Sequence, residues 1–287
     1  MPSPCIVGRS PSAFFRLEGA LASSEHALLT WDGAAWKVRD LDSTNGTFVD
    51  GICLKRGASA TLTPGAAVAF GDPNDVWKLS DATAPELLAI DPVARVVRAA
   101  ERGLLALPSA DDPAVTAWLS ETGDAVIEVN GEVHRLDAPR PVVARGTWMV
   151  YPPGAMERTP LATAAFALSQ VSFHFGVSRD EERIEISLLD HGKEIRLDPR
   201  DHGYILLVLA RARAADRDAG KPEAERGWID RDELIRLLKR EPNAVDVAIH
   251  RARRQLHEAG LAGAGSIVEV RRGQRRFGTD RFVIAKS

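Results

Sequence analysis

One stretch decides the fold of the first part of this 287-residue chain: Asp40-Leu41-Asp42-Ser43-Thr44-Asn45-Gly46-Thr47-Phe48-Val49-Asp50-Gly51. Before it, Trp36-Lys37-Val38 alternates as a strand, and after it residues 47–49 return to β-type side chains. Short polar residues and a glycine suited to positive φ predict a tight turn between the two strands. Taken alone, Asn45-Gly46 is typical of a plain β-hairpin, which needs no ligand.

The same turn also presents hydroxyl and amide donors from a rigid sheet. An oxyanion such as phosphate is held well by convergent neutral donors together with one fixed cation. Arg9 supplies a planar cation, and Ser23 and Thr44 supply hydroxyl groups. The residues therefore leave two alternatives open at this turn, a hairpin without a ligand and an anion site.

The order of three motifs resembles the forkhead-associated (FHA) domain. The motifs are Gly8-Arg9, Ser23-Ser24-Glu25-His26 and Ser43-Thr44-Asn45-Gly46-Thr47, and the resemblance covers roughly residues 1–80. It implies a β-sandwich whose loops at one end bind phosphothreonine. By this resemblance Arg9 and Ser23 contact the phosphate, and Thr44 and Asn45 hold the peptide backbone and the loop. It also implies structural support of that site by Gly8, His26 and Gly46.

One position departs from the family. The two residues after the serine are often basic in FHA domains, whereas here they are Ser24 and Glu25. An acidic side chain beside a dianionic phosphate weakens binding unless it points away. We therefore expect the chain to have the FHA fold, whereas its affinity for the phosphate depends on where Glu25 points.

The composition is that of a globular protein, with 45% hydrophobic and 27% charged residues and a net charge of −3. This length allows two or three domains. The apolar runs are shorter than the roughly 20 residues of a membrane helix, and the start Met-Pro-Ser-Pro does not match a signal peptide. We expect a cytoplasmic protein with no membrane partner.

Cys5 and Cys53 are expected to be buried free thiols, with a disulfide as the alternative.

No pattern in the chain indicates catalysis. The histidines lack metal-ligand spacing, and neither a nucleophile elbow nor a GxxxxGK phosphate loop occurs. We expect no enzyme activity, no cofactor, no metal site and no small-molecule substrate.

Residues 85–155 read as a small β-rich module of unknown role. Strands are predicted at 115–119, 125–129, 132–136 and 147–151, after a short helix and a strand between residues 93 and 107. Asn130-Gly131 predicts a hairpin turn. Residues 154–163 have the composition of a linker.

The pattern changes again in the last third of the chain. Strands are predicted at 171–177, 183–189 and 194–197, a helix from residue 199, and a polar loop at 214–227. Asp230 and Glu233 have the spacing of a capping box for a short second helix. A third helix, about residues 244–259, stops at Gly260. The end of the chain, 267–270 with 281–284, predicts a hairpin.

This order, with residues 243–256 as the third helix, resembles the OmpR/PhoB-type winged helix over residues 171–287. In that family the third helix enters the major groove and the hairpin wing touches the DNA backbone or minor groove. The expected fold class is multidomain, mainly β plus α/β. Its parts are an N-terminal FHA β-sandwich, a small middle β module and a C-terminal winged helix-turn-helix.

In the third helix Val245, Ile249, Ala252 and Leu256 recur on one face, which is expected to point toward the core. The residues on the opposite face are then expected to point outward. Residues 199–287 hold 19 Lys and Arg against 13 Asp and Glu, an excess of six positive charges that attracts polyanions. The predicted DNA contacts are Asn243, Ala244, Val247, Ala248, Arg251 and Arg254 on the helix, and Arg271, Arg272, Arg275 and Arg276 on the wing. Small apolar side chains at the helix start favour the alternative, a solvated or protein-binding face.

Two functions follow from these expectations. In the first, the chain is a phosphothreonine-peptide-binding signalling protein that acts as a DNA-binding transcriptional regulator linked to serine/threonine kinase signalling. Its partners are then DNA and a phosphothreonine-containing protein, either a kinase or a kinase substrate. In the alternative, the chain is a signalling adaptor that does not bind DNA, and its winged helix mediates protein–protein contacts.

Overall fold

A computed structural model describes residues 1–154, 166–181 and 183–286. These residues form two compact units. The N-terminal unit contains residues 1–86 and also 151–154, which return to it later in the chain. The second unit contains residues 87–150 together with the described residues from 166 onward.

The N-terminal unit is a β-sandwich of nine short strands. They are β1 (Cys5–Gly8), β2 (Phe15–Arg16), β3 (Ala27–Trp31), β4 (Trp36–Asp40), β5 (Thr47–Val49), β6 (Ile52–Cys53), β7 (Ser59–Leu62), β8 (Ala67–Phe70) and β9 (Val76–Lys78). One sheet has the order β2-β1-β3-β4-β7 and the other β6-β5-β8-β9. Val7, Trp36, Val38 and Val68 fill the core between them because strand side chains alternate between the two faces.

The turn at residues 41–46 does not close a hairpin, so that alternative is wrong. β4 pairs with β3 and β7, whereas β5 pairs with β6 and β8 in the other sheet. The turn therefore crosses from one sheet to the other at an end of the sandwich. Gly46 has φ +85°, a conformation that glycine adopts without strain.

The two cysteines are free thiols in different environments. Cys5 is buried, and burial raises the pKa of its thiol to about 12. Cys53 is exposed, which corrects the expectation that both are buried. It lies on β6, an edge strand of two residues that are both open to solvent.

The second unit begins with two four-stranded sheets. Their strands are β10 (Leu88–Asp91), β11 (Val96–Ala99), β12 (Leu104–Ser109), β13 (Asp112–Leu119), β14 (Ala125–Val129), β15 (Glu132–Arg135), β16 (Arg140–Val143) and β17 (Thr147–Tyr151). The sheet orders are β11-β10-β17-β16 and β12-β13-β14-β15. Leu105, Leu107, Ile127 and Val150 are fully buried between them.

The short helix expected between residues 93 and 107 is absent, and strands β11 and β12 occupy this segment of the described chain. Arg102 and Gly103 both have positive φ, at 51° and 76°, and form a tight turn before β12. Such a turn is incompatible with a continuing right-handed helix. The four other strands predicted here are present as β13, β14, β15 and β17; β14 and β17 have the predicted ends, whereas β13 begins three residues earlier and β15 ends one residue earlier. The linker expected at 154–163 lies outside the described residues beyond Gly154.

The rest of the second unit mixes strands and helices. In order they are β18 (Phe166–Ala167), β19 (Ser172–Val177), β20 (Ile184–Asp190), β21 (Lys193–Arg196), α1 (Gly203–Asp218), β22 (Ile229–Asp230), α2 (Arg231–Leu238), α3 (Pro242–Glu258), β23 (Leu261–Ala262), β24 (Val268–Arg271), β25 (Gln274–Phe277) and β26 (Phe282–Lys286). The side chain of Asp230 accepts a hydrogen bond from the Asp232 backbone N–H and caps α2 at the predicted position, although the donor is Asp232 and not Glu233 as in a capping box. Helix α1 runs to Asp218, further into the expected polar loop than predicted.

The terminal hairpin has different strands from those predicted. β24 pairs with β25, not with the last strand, across a turn at Arg272 and Gly273 whose φ values are 48° and 79°. Two successive residues with positive φ match the right-handed twist of a two-residue hairpin. β26 instead joins β19 in parallel, in the sheet β21-β20-β19-β26. We refer to β24, β25 and their turn as the wing.

Candidate functional sites

Three loops meet at one end of the N-terminal sandwich. β1 ends there at Gly8, β3 starts there at Ala27, and the turn between β4 and β5 lies beside them because adjacent strands are antiparallel. Arg9 follows β1 directly, and its Nε–H donates to the carbonyl of Ala22 at 2.5 Å. The side chain is otherwise exposed. Within the described residues, no group accepts from its two terminal nitrogens.

The loop before β3 is hydrogen bonded to the turn that follows β4. The Ser23 hydroxyl oxygen accepts from the Thr44 backbone N–H at 3.1 Å, so its own hydrogen remains available to a ligand. The Asn45 amide nitrogen donates to the Leu21 carbonyl at 2.9 Å, which leaves the amide oxygen as an acceptor. Arg9, Ser23, Thr44 and Asn45 are thus brought together, and all but the half-buried Ser23 are exposed.

His26 joins the two loops from below. It is fully buried, its Nδ1 accepts from the Ser23 backbone N–H at 3.0 Å, and its Nε2 lies 3.0 Å from the Gly46 carbonyl. The first contact requires an unprotonated Nδ1, so the Nε2–H donates to Gly46. Burial lowers the pKa of His26, opposed by the Gly46 carbonyl and by nearby Asp40. The neutral ring therefore holds both loops in place.

Asp40 is the buried anchor of the turn, and it was not singled out in the sequence. Its carboxylate accepts from the Ser43 backbone N–H at 3.0 Å, the Ser43 hydroxyl at 2.6 Å and the Thr47 hydroxyl at 2.7 Å. Burial disfavours its charged form, but the hydrogen bonds from Ser43 and Thr47 outweigh this and the pKa of Asp40 is lowered. Ser43 and Thr47 thus face inward, whereas Thr44 and Asn45 face solvent.

Gly8 is required by close packing at this end of the sandwich. A β-carbon on Gly8 would overlap the Ser24 carbonyl, which approaches closely because the Arg9 and Ser10 backbone N–H groups donate to Ser23 and Ser24. Glu25 is exposed in the same loop. The site therefore carries one exposed cation, Arg9, and one exposed anion, Glu25, on neighbouring loops.

These features define the N-terminal unit as an FHA-type sandwich, and the family model described as "FHA domain" matches residues 5–71. Among individual proteins, the FHA domain-containing protein FhaB of Mycobacterium tuberculosis is 35% identical over 75 residues, and FhaB of Mycolicibacterium smegmatis has the same identity. The match covers 26% of this chain and 43% of either FhaB. This chain therefore spans less than half the length of these relatives.

Two solved structures resemble the same part of the chain. One, from work on phosphothreonine-dependent FHA domain interactions, is 32% identical and covers 25% of this chain and 71% of that one, with a TM-score of 0.23. The other is the FHA-2 domain of an ABC transporter from Mycobacterium tuberculosis, 31% identical over 29% of this chain and 72% of that one, with a TM-score of 0.25.

The predicted DNA contacts on α3 are only partly exposed. Asn243 and Arg251 are exposed, and Ala244, Val247 and Arg254 are half-buried. Ala248 was predicted to face outward, but it is 4% exposed and belongs to the hydrophobic core. Because α3 packs against α1 as well as α2, it buries a wider face than the four-residue seam predicted from the sequence.

The four wing arginines fall into two pairs. Arg271 and Arg272 are exposed, and the Arg271 guanidinium lies over the Trp228 ring at 4.3 Å. Arg275 is 4% exposed and pairs with Glu128 at 3.0 Å, while Arg276 pairs with Glu269 at 2.6 Å. Burial lowers the pKa of Arg275, opposed by Glu128. Only the first pair is open to an external polyanion.

The sequence did not indicate that the middle sheet β12-β13-β14-β15 packs on α3. Arg253 on α3 is 1% exposed and pairs with Glu128 of β14 at 3.0 Å, and its guanidinium lies over the Trp118 ring at 4.4 Å. Glu128 therefore bridges Arg253 and Arg275. The sequence offered one indirect indication, because Arg253 belongs to neither the predicted inward face nor the predicted outward face of α3.

The described residues show neither a membrane helix nor a metal centre. None of their helices is both long and apolar enough to cross a membrane. No group of three or more His, Cys, Asp or Glu side chains among them is placed to hold a metal ion.

Proposed function

We propose that this chain is a signalling protein that binds phosphothreonine peptides through residues 5–71. The observation that carries the proposal is the convergence of Arg9, Ser23, Thr44 and Asn45 at one end of the FHA sandwich, on loops fixed by buried His26. The partner is a phosphothreonine segment of a serine/threonine kinase or of its substrate.

The available groups suit a phosphorylated residue in an extended peptide. The terminal nitrogens of Arg9 form a planar fork for two phosphate oxygens, and the Ser23 hydroxyl donates to a third. The exposed Thr44 and the Asn45 amide oxygen then meet the polar groups of the peptide. A domain in which these loops are already hydrogen bonded together loses little freedom on binding.

Fluorescence anisotropy of the full chain with a degenerate peptide library around phosphothreonine tests this proposal. We expect Arg9→Ala to weaken binding about 30-fold, because a charge-assisted hydrogen-bond pair contributes about 2 kcal/mol. Lys78→Ala removes a positive charge from the exposed strand β9 and is expected to change affinity less than about twofold. Equal binding by Arg9→Ala, or equal binding of the unphosphorylated library, would exclude this function.

We further propose that residues 171–287 are an OmpR/PhoB-type winged helix that acts on DNA, which makes the chain a transcriptional regulator. The observation that favours this role is the exposure of Arg251, Arg271 and Arg272 on α3 and the wing. Arginines placed in this way contact phosphates and give salt-dependent affinity with little choice of sequence.

The adaptor alternative is favoured by a different observation. α3 already packs on a protein surface, the strands β12 and β13, and Arg253 and Arg275 share the carboxylate of Glu128 on the adjacent strand β14. Titration of the full chain with a labelled random-sequence duplex at two salt concentrations separates the two roles. Affinity that falls steeply with salt and weakens in Arg271→Ala supports DNA binding, whereas its absence in both proteins and in Glu128→Gln, which removes the carboxylate shared by Arg253 and Arg275, supports the adaptor.

A further inference from the structure

One flank of α3 is covered by the middle sheet of the same compact unit. His250, Arg253 and His257 follow one another at spacings of three and four residues and so share that flank. His250 and Arg253 are almost fully buried, and α3 packs on β12 and β13. The contact continues to the wing, where the Gly273 N–H donates to the Gly131 carbonyl at 3.2 Å.

Each side of this interface has a glycine where the other side places a ring. A β-carbon on Gly265 would overlap the Trp118 indole, and one on Gly103 would lie 2.7 Å from the His257 ring. The Trp118 indole N–H donates to the Ser266 hydroxyl at 3.3 Å. Complementary shape on both sides indicates a specific docking surface.

The centre of the interface is electrostatic. Glu128, with 14% of its side chain exposed, receives Arg253 on one oxygen and Arg275 on the other. Thr116 accepts from Arg253 beside it at 3.2 Å. At the rim, Asp111 pairs with Arg251 at 3.2 Å. Cations on the helix and wing thus contact carboxylates of the middle module.

A duplex and the middle sheet cannot both occupy α3. The major groove is about 12 Å wide, and a helix with its side chains is about 10–12 Å across, so the groove walls approach both flanks of an inserted helix. One of those flanks is covered here, and it includes the buried Arg253. DNA reading by α3 therefore requires the sheet to move away.

We propose that residues 87–150 are an intramolecular partner of α3 and the wing, and that the docked sheet excludes a DNA duplex until it is released. This inference rests on the proposed DNA-binding role of residues 171–287. The ion pairs align the two surfaces specifically. Because the loss of hydration of the charges offsets much of their attraction, these pairs add little to the strength of the interface, which suits it to release.

Glu128→Gln tests the electrostatic centre, because it removes the charge while keeping the size of the side chain. Glu194→Gln is the matched control, an exposed strand carboxylate that pairs with Arg196. It measures how much the loss of one negative charge strengthens polyanion binding by itself. We expect Glu128→Gln to bind a labelled random-sequence duplex at least about tenfold more tightly than the control does.

Gly265→Ala tests the same interface through shape. Gly265 does not have a left-handed φ, so its backbone accepts alanine, and the three atoms nearest to the added methyl group all belong to the Trp118 ring. Fluorine NMR of full-length protein labelled with 5-fluorotryptophan reports whether Trp118 becomes solvent-exposed, with Trp118→Phe assigning the signal. We expect exposure of Trp118 and tighter duplex binding in both variants.

The outcomes separate this inference from the function on which it rests. If Trp118 stays shielded in both variants and they bind the duplex with the same salt-dependent affinity as the control, DNA binds while the sheet is docked, so the exclusion of DNA is wrong and the DNA-binding function stands. If Trp118 is released and duplex affinity is present but unchanged, the exclusion of DNA is wrong. If Trp118 is released and no salt-sensitive binding appears, the DNA-binding function itself is wrong, and the exclusion with it.

Discussion

The FHA loops and the region of α3 and the wing each contain an arginine that the sequence assigns to phosphate or DNA, Arg9 in the first and Arg275 in the second, but the fold treats them differently. Arg9 is exposed, and only its Nε is hydrogen bonded within the described residues. Arg253 and Arg275 are buried and share one carboxylate. An arginine in a binding motif can therefore bind an external anion only where no carboxylate of the same protein already pairs with it.

Each region also has a carboxylate at its centre, buried for Asp40 and half-buried for Glu128, and its partners explain the difference. Asp40 accepts hydrogen bonds from Ser43 and Thr47, which are neutral groups of the scaffold. Glu128 instead forms ion pairs with the two arginines. In the first region the carboxylate shapes the loop and leaves the cation for a ligand, whereas in the second one carboxylate pairs with both cations.

Removing Asp40 should give the largest effect, because its carboxylate holds the whole turn. We expect Asp40→Ala to lower the free energy of unfolding of the N-terminal unit by about 4 kcal/mol, since three buried donors lose a charged acceptor. Hydrogen exchange of the most protected amides of β3 and β4 measures it. Asp75→Ala, at an exposed loop carboxylate, is the control and should change stability less than about 0.5 kcal/mol. Similar values for both variants would contradict the anchoring role.

Removing Arg253 tests the second region. We expect Arg253→Met to lower the free energy of unfolding of the second unit by about 3 kcal/mol, since it breaks a buried ion pair and several hydrogen bonds at once. Arg251→Met, two positions earlier and exposed, should cost less than about 0.5 kcal/mol. Urea titration followed by helical circular dichroism measures both, because the α-helices of the described chain lie in this unit. Equal costs would show that the ion pair adds nothing.

Local patterns predicted more of this fold than long-range contacts did. The strands on both sides of the turn at residues 41–46, the cap at Asp230 and the end of α3 near Gly260 follow from turn and capping chemistry over a few residues. Glu128 and Arg253 are 125 positions apart, and no periodicity within either element indicates that they pair. The partner of the last strand was mispredicted for the same reason, because β26 pairs with β19, which lies at the other end of this part of the sequence.

The stability of the second unit should depend on pH because of the buried His250. Burial, together with Arg253, Arg254 and Arg251, lowers its pKa to about 4, from an unfolded value of 6.5. Between these two values the unfolded chain binds the proton and the folded chain does not, so stability falls as the pH drops from 6.5 to 4. We expect a loss of up to about 3 kcal/mol over this window.

His250→Gln is expected to remove this part of the pH dependence, measured as the urea midpoint from pH 7 to pH 4 with helical circular dichroism. Its stability should therefore approach or exceed that of the wild type at low pH. Parallel curves for the two proteins would show that His250 does not titrate in this way.

The smallest effect is expected at Glu25, where the FHA region departs from its family. Glu25 is exposed on the loop that carries Ser23, so its repulsion of a phosphate is reduced by water and salt. We expect Glu25→Lys to strengthen binding of the phosphothreonine library about three- to fivefold at low salt, an effect of about 1 kcal/mol that shrinks as salt is added. Glu18→Lys, an equally exposed position in the segment before this loop, controls for net charge. If both variants gain equally, the phosphate responds to the charge of the whole unit and not to the residue beside Ser23. A gain confined to Glu25→Lys instead places the phosphate next to this loop, where Arg9 is the one cation among the four predicted contacts.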